Sequence, residues 1–141
     1  MVLLIDTNVL LDVLLERHPH FEASFQVWGL CEYEEAVTGY ISCMSPLNIA
    51  YIMRKELTPE RMQETFITLE FAFKFAELKT SDLEAAANMQ WRDFEDAVQS
   101  STASRIHADY IITRNTKDFQ DSSIPAITPE EYLANIFSSE N

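Results

Sequence analysis

The sequence predicts an α/β domain in which a short parallel sheet of about four to five strands is flanked by helices on both faces. The chain has 141 residues, of which 47% are apolar, enough to bury one core. Short apolar runs alternate along it with amphipathic helical segments, the order typical of parallel sheets covered by helices. No repeat or linker interrupts this order. We therefore predict one domain over residues 1–137, followed by a frayed tail at 138–141.

The strands are predicted from short apolar or β-branched runs. The run Val2-Leu3-Leu4-Ile5 has no polar alternation, which is typical of a strand covered on both faces. The other runs are short and end in polar residues or turns. The predicted strands lie at residues 2–5, 39–42, 75–78, 109–113 and 124–127.

The helices are predicted from apolar spacing and from capping residues. Asp6-Thr7-Asn8 follows the first strand with residue types that favour a helix N-cap, and Thr58-Pro59 and Thr128-Pro129 each combine a cap with a first-turn proline. Ser81 and Glu84 have the spacing of a capping box. The predicted helices run from residue 7 to the break at 18–20, and then over about 21–35, 45–57, 59–75, 81–90, 93–106 and from 129 onward.

Composition and charge exclude several classes of protein. The formal net charge of −13 disfavours broad electrostatic binding of nucleic acid. Only two glycines occur, which excludes glycine-rich dinucleotide and Walker phosphate loops. Two cysteines, Cys31 and Cys43, are too few for a disulfide framework and indicate a reducing compartment. No apolar stretch is long enough to span a membrane, and the N-terminus does not have the pattern of a signal peptide, so we expect a soluble cytoplasmic protein.

Carboxylates are predicted to gather at one edge of the sheet. Ligands of open parallel sheets bind beyond the carboxyl ends of the strands. Asp6 follows the first strand, Asn115 and Asp118 follow the fourth, and Asp93 and Asp96 open the preceding helix. Gathered carboxylates repel one another unless a cation lies among them, and an all-oxygen set suits Mg²⁺ or Mn²⁺.

Each of these acids also has a purely structural interpretation. Asp6 could be only an N-cap, and Asp93 and Asp96 could be first-turn acids favoured by the helix dipole. Asp118 could belong to an Asx turn. The metal hypothesis therefore depends on the acids being brought together by the fold.

Three segments resemble those of a known family. Residues 3–12 (LLIDTNVLLD), 93–97 (DFEDA) and 108–119 (ADYIITRNTKDF) are similar, in order and approximate spacing, to the motifs of PIN-domain proteins, including VapC-type toxins. The resemblance spans nearly the whole chain. It implies a metal-dependent ribonuclease on a compact parallel sheet.

The resemblance also implies roles for single residues. Asp6 matches the first metal-binding acid and Asp96 the third, while Asn115 or Asp118 falls at the fourth position and Thr113 at a nearby hydroxyl position. The implied metal ligands are Asp6, Asp96 and Asp118, with Asp93 as a secondary candidate. Asn48 stands where the family usually has a glutamate after the second strand, and an amide brings neither negative charge nor a general base.

We therefore expect an endoribonuclease that uses Mg²⁺ or Mn²⁺ to hydrolyse RNA phosphodiester bonds, as the toxin of a toxin–antitoxin pair held by a small antitoxin protein. One alternative is a degenerate PIN fold that only binds, because Asn48 and Asn115 replace acids. Another is a phosphatase with Asp6 as nucleophile, which Asn8 disfavours because such enzymes carry a second aspartate there.

An aromatic segment leaves the oligomeric state open. Most of its apolar side chains fit core packing, but the alternation of Phe71, Phe73 and Phe75 exceeds what one buried helical stripe needs. A homodimer interface or a groove for a partner helix is the other interpretation. The apolar members of the segment are Phe66, Leu69, Phe71, Phe73 and Phe75.

Overall fold

A computed structural model describes residues 1–139 and confirms the predicted α/β class. Within these residues, five parallel strands form one sheet in the order β3-β2-β1-β4-β5. The strands are β1 (Val2–Ile5), β2 (Thr38–Ser42), β3 (Lys74–Ala76), β4 (Tyr110–Ile112) and β5 (Ala126–Ile127). The helices are α1 (Thr7–Leu14), α2 (Phe21–Tyr33), α3 (Met44–Ile52), α4 (Pro59–Ala72), α5 (Thr80–Met89), α6 (Phe94–Arg105) and α7 (Pro129–Ser139), with a 3₁₀ turn at Thr116–Phe119.

Strand β1 lies at the centre of the sheet and is covered on both faces. Leu4 pairs with Tyr40 of β2 and with Ile111 of β4. Leu3 and Ile5 point into the larger core cluster, whereas Leu4 points into a second cluster on the opposite face. Burial on both sides explains why the sequence of this strand is a continuous apolar run.

The topology places the ends of β1 and β4 side by side. These neighbouring strands pair in parallel up to Ile5 and Ile112, and the backbone N–H of Asp6 donates to the Ile112 carbonyl at 2.9 Å. The residues that follow the two strands, Asp6 and Thr113, are therefore adjacent although 107 positions separate them. This edge of the sheet is where the sequence places the candidate site.

The boundary between α4 and β3 differs from the prediction. The helix ends at Ala72 instead of near residue 75, because Phe73 adopts an extended backbone with φ −129° and ψ 151°. Leu69 and Phe73 are buried, and Phe73 packs against Trp28 with ring centroids 4.9 Å apart. Phe71, by contrast, is 78% exposed. The aromatic alternation thus marks a change from helix to strand, and core packing accounts for only part of the segment.

The start of α5 is also corrected. The sequence predicts a capping box of Ser81 and Glu84, but the helix already begins at Thr80. The carboxylate of Asp82 accepts a hydrogen bond from the Lys79 backbone N–H at 3.0 Å. Because Asp82 also pairs with Arg105 of α6 at 2.9 Å, it links the helix start to its neighbour and takes the place expected of Glu84.

The last helix, α7, extends through the first half of the predicted tail. Residues 138 and 139 belong to this helix, whereas residues 140 and 141 lie outside the described residues. The limit of residue 137 for the domain stays a prediction. Within residues 1–139, no helix has the length and apolarity needed to cross a membrane.

Candidate active site at the carboxyl edge of the sheet

Asp6 stands at the junction of β1 and α1 and is held on both carboxylate oxygens. Its Oδ1 accepts a hydrogen bond from the Thr7 backbone N–H at 2.8 Å, which is the N-cap contact of the structural interpretation. Its Oδ2 accepts a hydrogen bond from the Thr113 hydroxyl at 2.8 Å. The same side chain therefore caps the helix and is oriented by the end of β4, so the two interpretations do not compete.

Thr113 connects the polar residues that follow β4. Its side chain is fully buried, and its hydroxyl oxygen accepts hydrogen bonds from the Asn115 backbone N–H at 3.1 Å and from the Asn8 amide at 3.4 Å. One hydroxyl thus fixes Asp6 and the turn that carries Asn115. The Asn8 side chain contributes to this network, at the position where a phosphatase of the alternative class would need an acid.

The acids at the start of α6 have two different roles. Asp93 is the N-cap, and its Oδ1 accepts a hydrogen bond from the Asp96 backbone N–H at 3.1 Å. Asp93 thus has the structural role of a helix cap. The half-buried Asp96 carboxylate accepts no hydrogen bond from any residue within 1–139. Asp96 therefore has both carboxylate oxygens open to a ligand, whereas Asp93 has one oxygen engaged in the cap.

Most of the predicted site residues line one cleft of about 530 Å³. Asp118 does not line it. It is exposed on the 3₁₀ turn and faces an adjoining cleft of about 950 Å³, whose wall also contains Asp93 and Asp96. The predicted residues in the smaller cleft are Asp6, Asn48, Asp93, Asp96 and Asn115.

The acids influence one another electrostatically. Burial raises the pKa of Asp96 to about 7, with further contributions from the negative charges of Asp93, Asp6, Asp118 and Glu95. The pKa of Asp6 is also raised, mainly by burial, although the hydrogen bonds from Thr113 and Thr7 oppose the shift. Carboxylates in this state favour a bound proton or a bound cation over isolated charge.

The raised pKa of Asp96 predicts a pH-dependent stability. An unfolded aspartate titrates near 3.8, whereas Asp96 in the folded chain titrates at about 7, so the folded state binds its proton more tightly. This contribution to stability is fully present below about pH 4 and is lost as the pH rises through about 7. In EDTA, Asp96→Asn is expected to melt at a higher temperature than the parent at about pH 8, with the difference shrinking towards pH 5. Circular-dichroism melts test this, and a pH-independent difference would contradict it.

Glu95 is a site residue that the sequence did not single out as a ligand. Its Oε1 accepts a hydrogen bond from the Asn48 amide at 2.7 Å, and its charge raises the pKa of both Asp6 and Asp96. It therefore brings a carboxylate of α6 to the place where α3 lacks one. Its position next to Asp96 in the DFEDA motif was the available signal.

A second group that the sequence missed surrounds Asp12. This carboxylate is fully buried on α1 and pairs with Arg17 at 3.1 Å and with Arg114 at 2.7 Å. Both arginines line the 530 Å³ cleft. The signal was an acid inside the apolar run of α1, since a buried charge requires a partner.

The donor set suits a hard divalent cation by its chemistry. Asp6, Asp96 and Glu95 present carboxylate oxygens to the cleft, and Asn48 adds an amide. Oxygen ligands are those that Mg²⁺ and Mn²⁺ prefer. As the side chains stand, no group of three or more acidic, histidine or cysteine residues among residues 1–139 is arranged to hold a metal ion.

Comparison with known protein families gives a match over most of the chain. A family profile described as PIN domain matches residues 2–117. The chain belongs to the PIN domain family. This confirms the family that the three sequence motifs indicated, and PIN domains are nucleases that are typically metal-dependent. No curated protein matches the chain.

Solved structures of similar fold include proteins of toxin–antitoxin systems. A chain of a toxin–antitoxin complex from Klebsiella pneumoniae is 26% identical, with a TM-score of 0.67, and the match covers 89% of this chain and 96% of that one. A chain of VapBC2 from Rickettsia felis, bound to promoter DNA, is 15% identical with a TM-score of 0.70 and coverages of 91% and 98%. VapC20 of Mycobacterium tuberculosis, described as a sarcin–ricin loop cleaving toxin, is 10% identical with a TM-score of 0.61 and coverages of 77% and 86%.

Proposed function

We propose that this PIN domain is an endoribonuclease that hydrolyses RNA phosphodiester bonds with Mg²⁺ or Mn²⁺. The observation that carries the proposal is the position of Asp6 and Asp96. These acids lie far apart in the sequence, line the same cleft, and are close enough for the charge of Asp6 to raise the pKa of Asp96. Such a pair of uncompensated carboxylates is the arrangement that a divalent cation stabilises.

In this proposal some residues bind the metal and others orient the metal ligands. Asp6 and Asp96 are the proposed central ligands, and Asp118 approaches them from the adjoining cleft. A bound divalent ion lowers the pKa of water and offsets charge on the scissile phosphate. Thr113 keeps Asp6 oriented, because its hydroxyl donates to Asp6 Oδ2 and fixes the turn of Asn115. Asn115 lies at the rim of the cleft, where its amide can contact the substrate.

Glu95 compensates for the missing acid of α3 in this proposal. The Asn48 amide donates to Glu95 and holds that carboxylate against the cleft. The negative charge that the family usually takes from α3 is thus supplied by α6. The amide at Asn48 becomes a positioning group, and its presence no longer implies a lost activity.

The test is cleavage of single-stranded RNA by the purified chain. We expect cleavage in Mn²⁺ or Mg²⁺, loss of cleavage in excess EDTA, and recovery when the metal is restored. Calorimetric titration with Mn²⁺ provides a reading that does not depend on the choice of RNA. Absence of both Mn²⁺ binding and cleavage would contradict the proposal.

One observation favours a second function. Asn48 and Asn115 both lie in the cleft as neutral amides, and the ligand set is not pre-arranged within residues 1–139. A PIN fold that binds RNA or a protein without cutting is therefore the alternative. It predicts retained binding of a partner together with no metal-dependent cleavage.

A small antitoxin protein is the proposed partner, acting in the cytoplasm. The similar chain from Klebsiella pneumoniae belongs to a toxin–antitoxin complex. On this chain, Leu47 and Tyr51 of α3 are exposed, and Tyr51 lines the cleft. A partner or a second copy that covered these side chains would bury apolar surface beside the site. Homodimerisation through exposed apolar residues stays a prediction.

A further inference from the structure

We propose that Arg17 and Arg114 form a binding subsite for a backbone phosphate of RNA beside the acidic cleft, and that Asp12 positions both guanidinium groups. The substrate class rests on the proposed ribonuclease function, whereas the subsite itself rests on geometry. It accounts for two cations at a cleft that is otherwise lined mainly by acids and amides.

The anchor of the subsite is a fully buried carboxylate. Asp12 Oδ1 accepts a hydrogen bond from Arg17 Nε at 3.1 Å, and Oδ2 accepts one from Arg114 Nε at 2.7 Å. The hydroxyl of Ser24 donates to the same Oδ2 at 3.4 Å. Asp12 is thus held from three sides, and each arginine is bound through its Nε, which leaves the outer edge of the guanidinium available.

The outer edges of the guanidinium groups carry unused donors. Arg17 Nη2 donates to the Asn8 carbonyl at 3.3 Å, but within residues 1–139 neither Nη of Arg114 nor Nη1 of Arg17 makes a hydrogen bond. Both side chains line the cleft that contains Asp6 and Asp96, and the Arg114 side chain is 25% exposed. A guanidinium held in this way presents paired N–H donors, which match phosphate oxygens.

Pairing of the buried charge alone does not require two arginines. One guanidinium neutralises one carboxylate, so Asp12 with Arg17 and Arg114 leaves one positive charge at the cleft. The chain as a whole carries −13, which repels a polyanion. A fixed cation at the point of contact offsets this repulsion locally.

Other cations near the cleft are less suited to this role. Arg54 donates through Nη1 to the Tyr51 carbonyl at 2.8 Å and lies over the Tyr51 ring at 4.4 Å. Lys117 lines the adjoining cleft. Among residues 1–139, Arg17 and Arg114 are the two arginines that both line the acidic cleft and share a buried anchor.

The test is binding of a fluorescein-labelled single-stranded oligoribonucleotide, followed by anisotropy at several salt concentrations. All proteins carry Asp6→Asn so that cleavage does not interfere. Adding Arg114→Gln is expected to weaken binding about tenfold and to reduce the slope of log K against log salt by about 0.7, the value for one phosphate contact on a single strand. Adding Arg17→Gln as well is expected to reduce the slope further.

The matched control is Arg61→Gln, which removes the same charge from an exposed position on α4. If Arg114→Gln does not fold, a triple variant with Asp12→Asn, Arg17→Gln and Arg114→Gln removes the buried carboxylate together with both guanidinium groups. It takes the one surplus positive charge from the cleft, as Arg114→Gln does, and should show the same loss. An affinity and slope equal to those of the control would overturn the subsite, as would absence of oligonucleotide binding. Cleavage by the protein with Asp6 intact is measured separately, so a failed subsite and a failed nuclease are distinguished.

Discussion

Asp96→Asn is expected to lower Mn²⁺-dependent RNA cleavage by at least about 100-fold, and Asp6→Asn by a similar factor. Each change removes one negative charge from the cleft where the metal is proposed to bind, and loss of water activation alone costs about 10²–10⁴-fold. Both variants should fold, because asparagine is also a good N-cap at position 6 and removal of a repelled charge at position 96 relieves the folded state. Cleavage rate and calorimetric Mn²⁺ affinity are the measurements, and both should fall.

The control for this pair is Asp121→Asn. Asp121 lines the adjoining cleft, is exposed, and does not contribute to the raised pKa of Asp6 or Asp96. Asp121→Asn removes the same charge and should keep nearly the parent rate. A lower rate in this variant would instead indicate a general effect of net charge. Equal rates for the parent, Asp6→Asn and Asp96→Asn would mean that the cleavage comes from a contaminant and that these acids are not the site.

Much of the fold could be predicted because its signals are local. The run at residues 2–5 followed directly by Asp6 predicts both the central strand and the helix that follows it, and the structure has both. The boundary at Phe73 could not be predicted in the same way. Its extended backbone is stabilised by burial against Trp28 of α2, a contact between residues far apart in sequence. Tertiary packing thus determines where α4 ends, a boundary that local helix propensity does not specify.

The candidate site also has parts that the sequence predicts and parts that depend on tertiary contacts. The positions of Asp6 and Asp96 at one cleft followed from the order of motifs and the parallel topology. The contact of Asn48 with Glu95 spans 47 positions and depends on how α3 faces α6, so no local pattern predicts it. The pairing of Asp12 with Arg114 could not be predicted either, because the two residues lie 102 positions apart. Their roles in catalysis and binding stay predictions.

Glu95→Gln tests whether an acid of α6 replaces the one missing from α3. The change keeps the size of the side chain but removes the carboxylate that accepts from Asn48 at 2.7 Å and acts on Asp6 and Asp96. We expect Mn²⁺ affinity to fall by about 10–100-fold, the range for groups that orient or support metal ligands. The cleavage rate at limiting Mn²⁺ should fall with it, and saturating Mn²⁺ should restore part of the rate. Glu64→Gln, at an exposed position on α4, is the control and should change neither value.

The sharper version of this experiment exchanges the two side-chain types. Asn48→Asp added to Glu95→Gln moves the acid to α3 and the amide to α6, while an amide-to-carboxylate hydrogen bond can still join the two positions. If the site needs one carboxylate here and is indifferent to which helix supplies it, the double variant should recover most of the Mn²⁺ affinity lost in Glu95→Gln. Asn48→Asp alone should instead place two like charges together and raise the pKa of the pair. Unchanged Mn²⁺ affinity in Glu95→Gln would show that Glu95 only supports α3. That result would favour the alternative hypothesis, a PIN fold that binds without cutting because Asn48 replaces an acid.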